Sequence, residues 1–184
     1  MKRKSANREP IFYKRKEAPI RLLWYRSQVR QILPITYHPE IEIHLIRSGS
    51  VLYTVHDQKH LLTPDSLLVI YPNEVHTFIA EKPDELVNKI TFIFPPGLAG
   101  LPLSGRMAGY RDVRHLRLTS TEASAMARIA SDIQGELDRQ PIEWATLCRL
   151  RLQELIVMMK RAAGRGVEAE AAHPAVARVL EPYA

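Results

Sequence analysis

IEIHLIRSGS, residues 41–50, decides the fold. Successive side chains of an extended chain point to opposite faces, so Ile41, Ile43 and Leu45 share one side and Glu42, His44 and Ile46 the other. A slip of one residue would exchange the two faces, which ties the register to whichever side is buried. The run ends at Ser48-Gly49-Ser50, and this turn predicts a hairpin into VLYTVHD at 51–57. Asp57-Gln58-Lys59 closes a second hairpin into HLLT at 60–63, and Thr63-Pro64-Asp65 forces a further reversal. SLLVIYP (66–72), VHTFIA (75–80) and LVNKITFIF (86–94) continue the series, and IRLLWYRSQV (20–29) precedes it. Pro72 and the pair Pro95-Pro96 lack the amide a ladder needs and end their strands. Seven or eight short strands at intervals of about ten residues predict a sandwich or barrel.

Beyond the strands the pattern changes. Gly97, Gly100, Pro102, Gly105 and Gly109 block long regular structure, so 95–118 reads as a connector. Thr119-Ser-Thr-Glu122 matches a capping box and starts a helix, in which Met126, Ile129, Ile133 and Leu137 form one apolar stripe through Asp138. Pro141 suits the first turn of a second helix, which continues through Trp144, Leu147, Arg151, Leu155 and Met158 to about Ala163. Gly164-Arg165-Gly166 stops it, GVEAEAA reads as a linker, and HPAVARVLEPYA opens a new helical pattern.

Composition narrows the function classes. One cysteine, Cys148, leaves neither an internal disulfide framework nor a zinc knuckle and points to a reducing, cytoplasmic setting. No apolar core comes after the basic N-terminus, and no run of roughly 18 apolar residues occurs, so neither an export signal nor a membrane span is expected. The formal charge is +6. Residues 1–30 hold ten Lys/Arg against two Glu, leaving sixteen basic and eighteen acidic residues elsewhere. The excess therefore belongs to the N-terminal thirty residues, whose first nineteen read as a basic arm, and the residues beyond carry none to neutralise phosphates. No nucleophile triad or phosphate-cradling glycine loop is found.

HPEIEIHLIRSGS (38–50) with LTPDSLLVIYPNEVH (62–76) resembles the paired cupin motifs of AraC-type sensor domains. The likeness runs over about residues 20–95. The helices at 119–164, and His173-Pro174 with its apolar helix, resemble the segments that come after the barrel in that family. The resemblance implies a mainly β fold with C-terminal helices: a cupin-like double-stranded β-barrel (jelly roll) with its connector at 20–118, then an antiparallel helix pair at 119–164. It also implies that 165–184 holds the linker and first residues of a helix-turn-helix domain absent from this chain, so that DNA is a partner only through that domain. The expected activity is binding, not catalysis: a small-molecule effector enters the barrel, with no cofactor, and two copies pair through the helices.

For the effector, the expected contacts are His38, Glu42, His44, Tyr53 and His76, with Tyr37, Tyr71, Arg26 and Arg30 as secondary polar groups. Metal-binding cupins grip an ion with a His-x-His pair, a Glu and a later His; here Thr36 replaces the first His, leaving His38, Glu42 and His76 as a reduced set for iron(II) or zinc. A metal-dependent cupin enzyme is the alternative. Trp144, Leu147, Arg151, Leu155 and Met158 are the expected dimerisation residues, since two helices offer more apolar surface than one small barrel covers.

Overall fold

The alternation at 41–46 fixes which side of the sheet faces which layer. A computed structural model describes residues 18–28, 35–80, 82, 85–100 and 114–165. Among these it places strands β1 (Arg21–Gln28), β2 (Ile41–Ser48), β3 (Val51–Val55), β4 (Gln58–Leu62), β5 (Ser66–Ile70), β6 (His76–Ala80), β7 (Leu86–Phe94) and β8 (His115–Arg117). Helices α1 (Ser120–Arg139) and α2 (Trp144–Arg165) come next. One sheet has the order β1-β7-β2-β5-β8 and the other β4-β3-β6, all pairs antiparallel. The mainly β fold with an appended helix pair is as expected.

The larger sheet is covered on both faces. Ile43, Leu45, Leu67, Val69 and Phe92 turn outward and pack against Met126, Ile129 and Ile133 of α1 and Leu152, Leu155 and Ile156 of α2. Ile46, Leu68, Ile70 and Val87 turn inward and meet Val51, Tyr53, Val55 and Leu62 of the smaller sheet. Two separate apolar layers result, and the inner one surrounds the polar residues that β2 and β7 direct between the sheets.

Four local expectations are corrected. Ser48-Gly49-Ser50 does not close a hairpin: β2 pairs with β5 and β7, and the chain crosses at Gly49 to the other sheet. Gly49 has φ +76°, and a Cβ there would lie 2.8 Å from the Leu86 carbonyl oxygen, so the crossing needs glycine for both conformation and space. The connector is not wholly irregular. It opens with a 3₁₀ turn at Pro96–Ala99 and closes with β8, whose Leu67–Leu116 pairing adds a fifth strand to the larger sheet; residues 101–113 lie outside the described residues. Pro141 precedes α2 instead of entering it, because Gln140 and Glu143, at φ 47° and 64°, shape a turn that leaves Ile142 97% exposed. The β3–β4 hairpin forms, but its turn is His56-Asp57 and not Asp57-Gln58-Lys59, since Gln58 and Lys59 already belong to β4.

Thr119 caps α1 as predicted: its Oγ1 accepts from the Glu122 amide at 3.3 Å while the Glu122 carboxylate accepts from the Thr119 amide at 2.9 Å. Asp65 joins this helix start to the barrel. Its backbone oxygen accepts from the Leu118 amide, and its carboxylate accepts from the Ser120 hydroxyl at 2.7 Å and faces Arg47. The arm at 1–17 and the linker with its apolar helix at 166–184 lie outside the described residues.

Candidate functional site

The register that buries Ile43 and Leu45 outward sends Glu42 and His44 inward. Opposite them on β7 stand Ile93 and Thr91, and on β5 Ile70 and Leu68. From the smaller sheet, Tyr53 faces Phe78 across the ladder and Val55 faces His76. His38 comes from the segment before β2, where the backbone of Thr36 pairs with that of His76. The segment before β2, β2 itself and β6 thus converge on one carboxylate.

Glu42 is the centre. His44 Nε2 lies 2.9 Å from one of its oxygens and His76 Nε2 3.8 Å from the same one; His38 Nε2 lies 3.3 Å from the other. Burial pushes the Glu42 carboxyl up, but contacts with His38 and His44 outweigh it and hold the group well below the usual carboxylate range. Burial carries His44 the other way, down to about 4 against the pull of Glu42, so a neutral imidazole stands beside an ionised carboxylate at neutral pH. The contact with Glu42 raises His38, with burial opposing it. Close approach is not the same as alignment: both ring nitrogens of His38 and Nε2 of His44 are buried without an aligned hydrogen bond. Each of the three faces a carboxylate oxygen, His38 Nδ1 that of Glu40 at 3.5 Å and the other two those of Glu42, without an aligned bond to it.

Behind Glu42 the polar contacts continue inward. His44 Nδ1 lies 3.1 Å from the Tyr53 hydroxyl and 3.0 Å from Thr91 Oγ1. Lys89 Nζ donates to the Tyr53 hydroxyl at 2.6 Å. Burial raises the Tyr53 phenol well above its ordinary value, so it stays protonated and donates in turn to the unprotonated Nδ1 of His44. His76 is fixed differently. Its Nδ1 donates to the Glu74 carbonyl at 2.8 Å, leaving Nε2 to accept from Thr36 Oγ1 at 3.0 Å. Glu74 itself is held by a bidentate pair with Arg114, at the start of β8.

The structure therefore brings together His38, Glu42, His44, Tyr53 and His76. Of the secondary residues, Tyr37 is 72% exposed, Arg26 is exposed, Tyr71 lies under the Arg114 guanidinium, and Arg30 is outside the described residues. Sequence reasoning missed Lys89 and Thr91. Their signal was parity: Val87, Lys89, Thr91 and Ile93 occupy one side of β7, but the apolar Ile90, Phe92 and Phe94 on the other side read as a core face with its back to solvent. His60 and His115, with rings 6.0 Å apart, also line the interior and were not singled out.

The reduced metal set is assembled too. Ligand atoms of His38, Glu42 and His76 lie within 4.8 Å of one another. Ligands about 2.0–2.2 Å from an ion sit closer together than that, so the side chains would draw inward to hold one.

The expected dimerisation residues divide. Leu155 is fully buried in the outer core, and Trp144 and Met158 pack against that core. Leu155 is thus corrected from interface to core: its position in α2 faces the sheet, leaving no side-chain surface for a partner. Leu147 is 38% exposed, and Arg151 faces Asp132 and Glu154. The exposed side of α2 runs through Leu147, Leu150 and Val157.

The model of the AraC-like ligand binding domain matches residues 27–156. No curated protein matches the chain by sequence. Similar solved structures include apo ToxT, a single-site variant, from Vibrio cholerae, at 10% identity and TM-score 0.56 over 88% of this chain and 63% of that one. They also include the cupin_2 domain of an XRE family transcriptional regulator from Enterobacter cloacae, at 14% identity and TM-score 0.40 over 48% and 94%. A cupin 2 domain-containing protein from Halorhodospira halophila matches at 14% identity and TM-score 0.40 over 44% and 56%. The chain spans less than two thirds of the length of the ToxT and Halorhodospira structures. Among the described residues, no helix is long and apolar enough to cross a membrane.

Proposed function

Because the chain belongs to the AraC-like ligand-binding domain family, we propose that it is the sensing and self-pairing part of an AraC-type transcription regulator, receiving a small-molecule effector at the polar cluster around Glu42. The observation that carries this reading is the set of buried ring nitrogens on His38 and His44 that lack an aligned hydrogen bond. Buried polar atoms are ordinarily hydrogen-bonded, and leaving one unpaired costs about 1–3 kcal/mol. Of the three nitrogens on His38 and His44, two face the ionised Glu42 carboxylate and His38 Nδ1 faces Glu40. A guest bearing hydroxyl or amide groups satisfies them, while Ile70, Leu68 and Val55 supply apolar wall. Conversion of the guest is not part of this reading.

Signal transfer is a matter of connectivity. β8 lies against β5 inside the barrel wall, and Leu118 and Ser120 tie the start of α1 to Asp65. A guest that shifts the interior position of His115 moves β8 and, through it, the helix pair. An effector changes the output only through such a difference in affinity between two arrangements. Spacing between two copies then sets how attached DNA-binding domains meet half-sites at fixed helical intervals.

A thermal-shift screen of small metabolites on the purified chain tests the reading. Stabilising compounds are expected to lose their effect in Glu42→Gln and His38→Ala, both of which remove groups from the cluster. A compound that stabilises both variants as well as the parent binds elsewhere and counts against the site.

One observation favours a second reading, a metal-dependent cupin enzyme. The Glu74 carbonyl fixes His76 in the tautomer with Nε2 unprotonated, the one a metal-ligating imidazole needs, although Thr36 Oγ1 now donates to that nitrogen, which lies 3.8 Å from Glu42. Two imidazoles and a carboxylate suit iron(II) or zinc and leave open positions. Elemental analysis distinguishes the readings: stoichiometric metal that disappears in His76→Ala supports the enzyme, and metal-free protein that binds an effector supports the sensor.

A further inference from the structure

Lys89 sits where a lysine is costly. It projects from β7 into the barrel and is 4% exposed. Among the described residues no carboxylate lies within ion-pair distance of Nζ, whose hydrogen bond goes to the Tyr53 hydroxyl. Aromatic rings enclose it: Nζ lies 3.5 Å from the Phe78 ring centre and 5.2 Å from those of Tyr25 and Tyr53. The Tyr53 hydroxyl then leads through His44 to Glu42, giving a line of contacts from amine to phenol to imidazole to carboxylate. Burial lowers the Lys89 ammonium to about 7, with the Glu42 charge pulling the other way, so free amine is present at neutral pH.

A buried primary amine with a phenol at 2.6 Å is equipped for one chemistry above others, nucleophilic addition to a carbonyl. We infer that Lys89 captures a small aldehyde or ketone as a reversible imine, with the Tyr53 hydroxyl moving the proton. This deepens the proposed effector reading and rests on the barrel admitting a guest. The amine lone pair attacks the carbonyl carbon, forming the C–N bond as the C=O π bond breaks. The carbonyl oxygen takes a proton from Tyr53, which recovers one from the nitrogen. The resulting carbinolamine loses its hydroxyl with a proton as water while the nitrogen lone pair closes C=N. One water leaves, nothing is oxidised or reduced, and water entering reverses the capture. A carboxylate guest is the competing idea, but it needs the ammonium form that burial disfavours.

Reductive trapping on the full chain provides the test, with propanal and cyanoborohydride at pH 7 and each lysine followed by peptide mapping. Lys89 is expected to be alkylated at least about tenfold faster than exposed Lys59, since the Tyr53 hydroxyl stands beside the Lys89 amine to move the proton. Lys89→Arg should lose that adduct alone. Tyr53→Phe should slow it by about tenfold or more, the general acid–base contribution. Alkylation of Lys89 no faster than Lys59 overturns the inference in the parent protein, whatever the variants do. Methyl resonances of Ile46 and Ile70, followed in parallel with propanal, propan-1-ol and propionate, separate the two levels of failure. Shifts with the alcohol but no Lys89 adduct sink the imine and leave the receptor standing. Shifts with propionate alone replace the imine by an ion pair. Resonances unmoved by any of the three, with no adduct, remove both.

Discussion

Glu42 controls the electrostatics of the interior because its charge is the one that His38, His44 and His76 share. With the carboxylate ionised, His38 gains a stabilising contact when it protonates, which is why its pKa is raised. Glu42→Gln keeps the shape and deletes the charge. The His38 titration midpoint, followed by NMR on the ring protons, is expected to fall in this variant; an unchanged midpoint means that the pair does not interact in solution. Tyr53→Phe acts one contact deeper. It strands the Lys89 donor and leaves His44 Nδ1 with Thr91 Oγ1 as its remaining partner, at an expected cost of about 1–3 kcal/mol in urea unfolding. Such residues were only partly legible. His38, Glu42, His44, Tyr53 and His76 announce themselves by type and parity on strands. Lys89 does not, because a lysine opposite an apolar strand face ordinarily meets solvent, and only the second sheet, placed by long-range pairing, turns that face inward.

At the scale of elements, local signals were read well and long-range ones poorly. The cap at Thr119 and the alternation through 41–46 are local, and both hold. The crossing at Gly49 and the pairing of β8 with β5 are not local: a Ser-Gly-Ser turn looks the same whether the chain returns to its own sheet or moves to the next, and three residues after a glycine-rich stretch show no periodicity. Thr119→Ala should lower helix-start stability by about 1 kcal/mol, seen as a drop in melting temperature. The more telling element is β8. Burial, followed by the charges of His60 and Arg117, takes His115 down to about 4, and His60 is lowered mainly by burial, with Arg114 adding to it and Glu74 opposing. Both histidines are therefore neutral in the folded state at pH values where the unfolded chain begins to bind protons. The unfolded state binds more protons between about pH 6.5 and 4, so stability is full above that window and falls as pH drops through it, by up to about 3 kcal/mol from His115. Urea unfolding at pH 7 and pH 4.5 measures the slope, and His115→Gln is expected to flatten it; an equal slope in the variant assigns the loss to other groups.

For the whole molecule the question is which surface of the helix pair remains once the barrel is covered. α1 and α2 lie antiparallel, as the Cys148–Ile133 and Arg151–Asp132 contacts show, and one side of the pair is consumed by the larger sheet. On α2 the large apolar residues left outward are Leu147, Leu150 and Val157, with Ile142 in the turn before it, among exposed Arg149, Gln153 and Glu154. Their spacing matches the helical repeat, so they form a stripe instead of scattered exposed residues, and a stripe of this kind on an otherwise covered helix fits a second copy of the same helix. Beside the stripe, Arg151 and Glu154 pair with each other within the chain. Two substitutions separate interface from core. Leu150→Glu with Val157→Glu places charge on the stripe alone, and sedimentation across a concentration series should show a folded monomer whose melting temperature no longer depends on protein concentration. Leu155→Ala, in the core beneath, should cost about 2–5 kcal/mol of stability in whatever assembly the chain adopts. If the double variant sediments as the parent does, the pairing surface lies elsewhere. If the parent is itself a monomer at every concentration, coupling between copies has to come through another part of the regulator.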